Sequence, residues 1–231
     1  MRNLFCSLMI TLLAIPCAQA GVVIGGTRVV YGENQNSVAL PLRNNSQTTW
    51  LINSKISTGG SWPGSTLSAK KAPFVITPPL FALKARREST LRIIYTGGSL
   101  ARDRESVFTL SIATIPSGSP QDNSVQVAIR SQLKLFYRPV GLQGSAQDAS
   151  QKLRWTRVGK QLRVENPTPY YVTLFNLHVN GHEVRNAGMI APFSQRNIDG
   201  CTQTGQCPVS WQSINDFGRV LPKQHIDNPV R

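Results

Sequence analysis

Cysteine, histidine and acidic residues are scarce in this chain of 231 residues, which holds 4 Cys, 3 His and 11 Asp plus Glu. A tetrahedral metal site needs four N, O or S ligands. Cys201 and Cys207 have neither a nearby histidine nor a third cysteine to complete one. His178 and His182 stand four apart, the spacing of helical metal ligands, but Asn180-Gly181 between them breaks any helix and reads as a hairpin turn. No Walker loop or dinucleotide fingerprint occurs. The nearest approach to a nucleophile elbow, Gly59-Gly60-Ser61-Trp62-Pro63, has proline where the last glycine belongs. So few acids leave little material for a paired-carboxylate site. The residues argue against an enzyme, a cofactor and a small-molecule substrate.

Long apolar runs are lacking as well, once the first twenty residues are set aside. Those read as an export signal: Arg2 is a basic start, Leu8 to Ile15 is an apolar core too short to span a bilayer, and Ala18-Gln19-Ala20 is a cleavage site. A mature chain would begin at Gly21. Pro16 directly before Cys17 fits a lipoprotein signal poorly. No later segment approaches 18 consecutive apolar residues, so a soluble, exported product is expected. Cys6 and Cys17 leave with the signal. The remaining pair, Cys201 and Cys207, reads as a disulfide in an oxidising compartment, and closing so small a loop stabilises by roughly 2 kcal/mol.

Positive charge, by contrast, is plentiful: 25 Lys and Arg give a net charge of +14 and a pI near 10.3. The basic residues are scattered from Arg28 to Arg231 rather than gathered into a stripe, and an exported protein rarely meets nucleic acid. Solubility, or a partner bearing carboxylates, accounts for the charge equally well.

The longest regular pattern runs from residue 124 to 139. Val125, Val127, Ile129, Leu133, Leu135 and Tyr137 share one parity, broken only by Ser131. Gln126, Arg130, Gln132, Lys134 and Arg138 take the other, with Ala128 and Phe136 as exceptions. This predicts a strand with one apolar face, on the order of 40 Å long. A strand of that length outruns the core of an ordinary sandwich. It is either one long core strand or a strand partly kept for another protein's sheet edge.

Around it, short β-rich runs are cut by turn residues. Val22 to Tyr31, Ser37 to Arg43, Trp50 to Ile56, Phe74 to Thr77, Thr90 to Tyr95 and Val107 to Ile115 read as strands, with Pro78-Pro79 marking an edge or a sheet-switching bend. About seven strands in about 115 residues suggest an immunoglobulin-like sandwich. Pro139 to Ser150 looks like a boundary. Beyond it a second β-rich pattern begins at Leu153, with Leu162 to Glu165, Tyr171 to Val179, Met189 to Ile190 and Val209 to Ile214 as its clearest strands. The expected organisation is a signal at 1–20, one β domain at 21–140 and a second at 141–231, with no internal repeat beyond two domains of similar class.

Lys134-Leu135-Phe136-Tyr137-Arg138-Pro139, preceded by alternating Val125, Val127 and Ile129, resembles the subunit-binding strand of PapD-like periplasmic pilus chaperones. Further matches follow in that family's order: Thr27-Arg28-Val29, Thr77-Pro78-Pro79, Asp103-Arg104-Glu105-Ser106, Glu165-Asn166-Pro167-Thr168-Pro169-Tyr170-Tyr171 and Ile214-Asn215-Asp216-Phe217-Gly218. Together they cover nearly the whole mature chain.

The resemblance implies an all-β protein of two immunoglobulin-like sandwiches set at an angle, with a cleft between them. It implies that Arg28 and Lys134 anchor the C-terminal carboxylate of an incoming pilus subunit, and that Val125, Val127 and Ile129 form the donor strand. Glu105, Arg138 and Asp216 match an interdomain charge cluster, and Pro78 or Pro79 would be cis. The implied partners are pilus subunits and the outer-membrane usher, with no nucleotide involved. The loop from Pro116 to Ser124 and the three-member apolar row resemble the short-loop branch, which assembles rod-like pili. Two departures stand out: the cysteine pair precedes Asn215-Asp216 rather than following it, and Arg219 stands where a second glycine is common.

Other readings carry less. A carbohydrate-binding module or adhesin would cluster its aromatics, yet Trp50, Trp62, Trp155 and Trp211 are dispersed along the chain. A secreted hydrolase lacks its nucleophile, and a pilus subunit would lack the strand at 125–137. Whether the free protein caps its exposed strand with a second copy is left open.

Overall fold

The computed structural model describes residues 21–60, 62, 71–118, 125–202 and 205–229. The expected signal, including Cys6 and Cys17, the loop at 63–70 and most of the loop ahead of Val125 lie outside them. The chain forms two immunoglobulin-like β-sandwiches. In the first, β1 (Val22–Ile24), β2 (Arg28–Gly32), β3 (Val38–Asn44), β4 (Trp50–Thr58), β5 (Phe74–Thr77), β6 (Leu80–Leu83), β7 (Glu88–Tyr95), β8 (Ser106–Pro116) and β9 (Ile129–Arg138) make two sheets. Their orders are β1-β3-β7-β5 and β2-β9-β8-β4-β6. The second follows a 3₁₀ turn at Ala149–Lys152. It comprises β10 (Arg154–Val158), β11 (Gln161–Asn166), β12 (Val172–Val179), β13 (His182–Glu183), β14 (Met189–Ile190), β15 (Ser194–Asp199), β16 (Val209–Ser213) and β17 (Gln224–Ile226). A sheet of order β10-β11-β15 faces one of order β13-β12-β16-β17, with β14 also paired to β12.

Each sandwich has its own core. Leu42, Ile52, Leu91, Ile93, Leu110, Ile112 and Leu135 centre the first; Leu162, Val164, Leu177, Val179 and Val209 centre the second. Cys201 and Cys207 are bonded to each other and buried against the second core. Among the described residues no helix is long and apolar enough to cross a membrane.

Three sequence expectations need correction. The run Val22 to Tyr31 is two strands on different sheets: β1 joins β3 and β2 joins β9. The crossing occurs at Gly25, whose backbone lies so close to Pro41 that a Cβ would stand 2.5 Å from its Cγ. Another strand, β6, follows Pro78-Pro79. Because β5 edges one sheet and β6 the other, the diproline, with Thr77–Pro78 cis, is where the chain changes sheets. Finally, the long strand expected at 124–139 enters the sheet only at Ile129. Residues 125–128 precede it without ladder partners.

A repeat invisible to pattern reading also appears. Asn44 ends β3 and Asn166 ends β11, and both are buried. The Asn44 amide donates to the carbonyls of Thr48, Leu83 and Lys84 at 2.7, 3.1 and 3.0 Å, while its oxygen accepts from the Ser46 amide and hydroxyl. Asn166 donates to Tyr170, Ile190 and Ala191 carbonyls at 2.7, 3.3 and 3.1 Å, and its oxygen accepts from the Thr168 amide and hydroxyl. The same Asn-x-Ser/Thr knot thus closes one corner of each sandwich. Replacing either by alanine strands several buried carbonyls and donors, each costing about 1 to 3 kcal/mol. We expect Asn44→Ala and Asn166→Ala each to lower stability by about 3 kcal/mol or more, measured by urea unfolding. Losses under about 1 kcal/mol would show that water replaces the amide.

Candidate functional site

The cleft face is built by strands β2 and β9, which run parallel with Arg28 opposite Lys134, Val30 opposite Phe136 and Gly32 opposite Arg138. Alternation sends Val29, Tyr31, Leu133, Leu135 and Tyr137 into the first core. It leaves Arg28, Lys134, Phe136 and Arg138 on the other face. Phe136, an exception to the polar parity, is buried because its ring lies 5.8 Å from that of Tyr171 in the second domain.

Arg28 and Lys134 form one rung. The Arg28 guanidinium donates to the Ile214 carbonyl of the second domain at 3.0 Å and lies 5.8 Å from the Phe136 ring centroid. Burial lowers its pKa, and the more distant Asp216 and Glu105 oppose the effect. Lys134 is pushed down to about 8, first by burial and then by the neighbouring Arg28 charge. Its Nζ lies 5.7 Å from the Trp62 ring centroid, at the wall of a cavity of about 300 Å³. The opposite wall is second-domain chain from Thr173 to Asn176 and from Glu183 to Gly188. Two half-buried cations side by side repel each other, a repulsion that an anion placed between them would relieve.

Arg138, two repeats of the pleat along β9 from Lys134, is paired. Its Nε donates to Glu105 at 2.7 Å, and its Nη1 and Nη2 donate to both Asp216 oxygens at 2.7 and 2.9 Å. The guanidinium also sits 5.4 Å from the Tyr170 ring centroid. Burial alone would lower the Arg138 pKa, but Asp216 and Glu105 together outweigh it and raise it. Glu105 is 3% exposed; burial pushes its carboxyl up, and Arg138 and the Tyr171 amide only partly offset this. Its other oxygen accepts that amide at 2.7 Å, and its own N–H donates to the Pro169 carbonyl. First-domain Glu105 and Arg138 are thereby tied to Asp216 and the Pro169–Tyr171 corner of the second domain. Gly218 closes the same seam: its φ is +79°, and a Cβ there would stand 2.5 Å from the Thr27 hydroxyl.

Val125, Val127 and Ile129 are 90%, 61% and 55% exposed. Val125 and Val127 precede β9 and Ile129 is its first residue, all upstream of Lys134. Among the described residues β2 pairs with β9 only from the Arg28–Lys134 rung onward, and no other strand pairs with that flank of β9 at Ile129 to Ser131, which leaves an open edge there. Beside it a cavity of about 410 Å³ is lined by Val22, Ile24, Trp50, Ile129 and Ser131 among others. Sequence reading missed Thr173 and Trp62 as cleft residues, the first hidden inside a core-like strand and the second counted only in a failed nucleophile motif and among the dispersed tryptophans.

An open apolar strand beside an interdomain cationic cleft, on paired immunoglobulin-like sandwiches, defines a protein that receives part of another chain. The family model described as "Pili and flagellar-assembly chaperone, PapD N-terminal domain" matches residues 21–143, and "Pili assembly chaperone PapD, C-terminal domain" matches 148–225. The chain belongs to the PapD family of pili assembly chaperones. It is 43% identical over 222 residues to the fimbrial chaperone YcbF of Escherichia coli (strain K12), covering 96% of this chain and 94% of that one. It is 37% identical over 224 residues to the probable fimbrial chaperone LpfB of Escherichia coli O157:H7, covering 94% of each. Among solved structures, the SafB chaperone in complex with the Salmonella enterica SafA pilin superposes with a TM-score of 0.77 at 30% identity, over 90% of this chain and 96% of that one.

Proposed function

We propose that this protein captures fimbrial subunits in the periplasm, lends them Val125, Val127 and Ile129 to complete an unfinished sandwich, and hands them to an outer-membrane usher. The carrying observation is that one strand divides its apolar row: Leu133, Leu135 and Tyr137 fill its own core while three apolar residues just upstream are displayed. Chaperone–pilin donor-strand complementation is an established mode of strand addition. Main-chain hydrogen bonds would run along the open β9 edge, and burying the three side chains contributes about 1.5 to 3 kcal/mol each before association costs.

Arg28 and Lys134 would receive the subunit's C-terminal carboxylate through charge-assisted hydrogen bonds. The cluster Glu105, Arg138 and Asp216 would hold the two domains in the orientation that keeps the cleft open. Removal of residues 1–20, a boundary between domains at 140/141, membership of the short-loop branch, and action without catalysis or cofactor belong to the same reading. With no client present, a second copy could cap the row. A sugar-binding alternative finds no support in the tryptophans, since Trp155 and Trp211 are each 3% exposed in the second core.

The test is Val125→Ser/Val127→Ser/Ile129→Ser. These residues bury little in their own fold, so the melting temperature should stay within about 2 °C of the parent. Co-purification of fimbrial subunits from periplasmic extract should fall at least tenfold. Undiminished capture by the folded triple variant would overturn the donor-strand assignment.

A further inference from the structure

Among the described residues, five buried side-chain polar atoms have no hydrogen-bond partner, and three of them, Arg28 Nε, Trp62 Nε1 and Thr173 Oγ1, belong to cleft residues. Thr173 and Trp62 line the cavity that Lys134 borders. Arg28 adjoins it: its guanidinium is bonded to the Ile214 carbonyl, and the Ile214 amide donates to the Thr173 carbonyl. Thr173 is only 5% exposed, so its hydroxyl has little recourse to bulk water. A buried polar atom without a partner carries a desolvation cost that a suitable ligand recovers. The sole acid among the lining residues, Glu183, is exposed.

We infer that Thr173 and Trp62 complete an anion site with Arg28 and Lys134, the Thr173 hydroxyl and the Trp62 indole N–H donating to the carboxylate that the two cations attract. This rests on reading the cleft as the anchor for a subunit's C-terminus. A carboxylate offers two oxygens with about four acceptor directions. The Lys134 ammonium, Arg28 Nε–H, Thr173 O–H and Trp62 Nε1–H supply four donors. Such a set selects a free carboxylate over a carboxamide, whose NH₂ would meet donors rather than acceptors. The Trp62 ring face lies toward the Lys134 ammonium, 5.7 Å from its centroid. On occupancy, the same indole adds its edge N–H.

The probe is an N-acetylated hexapeptide of alternating valine and threonine with a free C-terminal carboxylate, alongside its carboxamide twin, titrated by ¹⁵N NMR. In the parent protein the acid peptide should shift the Trp62 indole N–H signal and bind at least tenfold more tightly than the carboxamide. Thr173→Val preserves shape and Trp62→Phe preserves a ring over Lys134. Each should weaken acid-peptide binding about five- to tenfold, leave carboxamide binding unchanged and leave the rest of the spectrum native. If both variants bind the acid peptide as the parent does while Lys134→Ala loses it, the inference is overturned and the cationic anchor stands. If Lys134→Ala also binds like the parent, or the parent does not respond, the anchor falls and this inference with it.

Discussion

Lys134→Met should make the free protein more stable and the chaperone inactive. In the fold, Lys134 is held near pKa 8 against an ordinary 10.5, chiefly by burial and then by Arg28. Its charge is therefore disfavoured in the free protein. Between about pH 8 and 10.5 the unfolded chain keeps a proton that the folded chain has lost, so this group makes stability rise with pH across that window. Below it, both states are charged and the full penalty applies. Methionine removes the penalty, a gain on the order of 1 kcal/mol at pH 7 once partial exposure is discounted.

Subunit binding runs the other way. A bound carboxylate favours the charged ammonium, so capture by the parent protein should weaken as pH rises above about 8, while Lys134→Met captures weakly at every pH. Losing a charge-assisted hydrogen bond worth about 1.5 to 3 kcal/mol corresponds to roughly ten- to a hundredfold in affinity. Urea unfolding at pH 7 and pH 9, together with subunit co-purification, checks both halves. A variant less stable than the parent at pH 7, or one that captures normally, would remove Lys134 from the anchor.

Arg138→Ala should be the most damaging single change in the seam. The substitution strands Glu105, whose side chain is 2% exposed, and leaves Asp216 without its bidentate partner. Breaking a buried pair by removing one member costs about 3 to 5 kcal/mol, far more than a surface pair. The loss should depend on pH. Burial already raises the Glu105 pKa, and deleting Arg138 raises it further. Where the folded state binds more protons than the unfolded, stability rises as pH falls. The deficit of Arg138→Ala against the parent should therefore be greatest at neutral pH and shrink on mild acidification. Replacing Glu105 by glutamine in the Arg138→Ala background should recover part of the loss at pH 7. A deficit equal at pH 7.5 and pH 5 would mean that the guanidinium acts through packing, not charge.

Lys134 of the cation rung and Arg138 of the charge cluster were legible because they sit on a strand whose parity is readable, whereas Glu105 and Asp216 lie off it and were located only by their place in family motifs. Lys134 and Arg138 share the polar parity, and Arg28 was located by its place in a family motif. Phe136 looked like an exception in that pattern. It became intelligible only with Tyr171 beside it, because a side chain that packs across a domain seam obeys the other domain's core. The strand β15, Ser-Gln-Arg-Asn-Ile-Asp, offers Ile198 alone to the core, too weak a signal for pattern reading. The division of Val22 to Tyr31 was equally hidden, since alternation continues through a sheet switch and the close approach of Gly25 to Pro41 is nonlocal.

Local chemistry along the chain was enough to determine the β class: period-two alternation made strands, and turn residues made their ends. It also marked Val125, Val127 and Ile129 as apolar, because hydrophobicity belongs to the residue. Whether those side chains were spent on this molecule's own interior depended on where β9 joins its neighbours, and the pairing register leaves them outside. The burial that depresses Lys134, the unpartnered hydroxyl of Thr173 and the bridging of two domains by Arg138 likewise arise from residues distant in sequence. Desolvation and hydrogen-bond satisfaction depend on the whole surroundings of an atom, and only the folded chain supplies those.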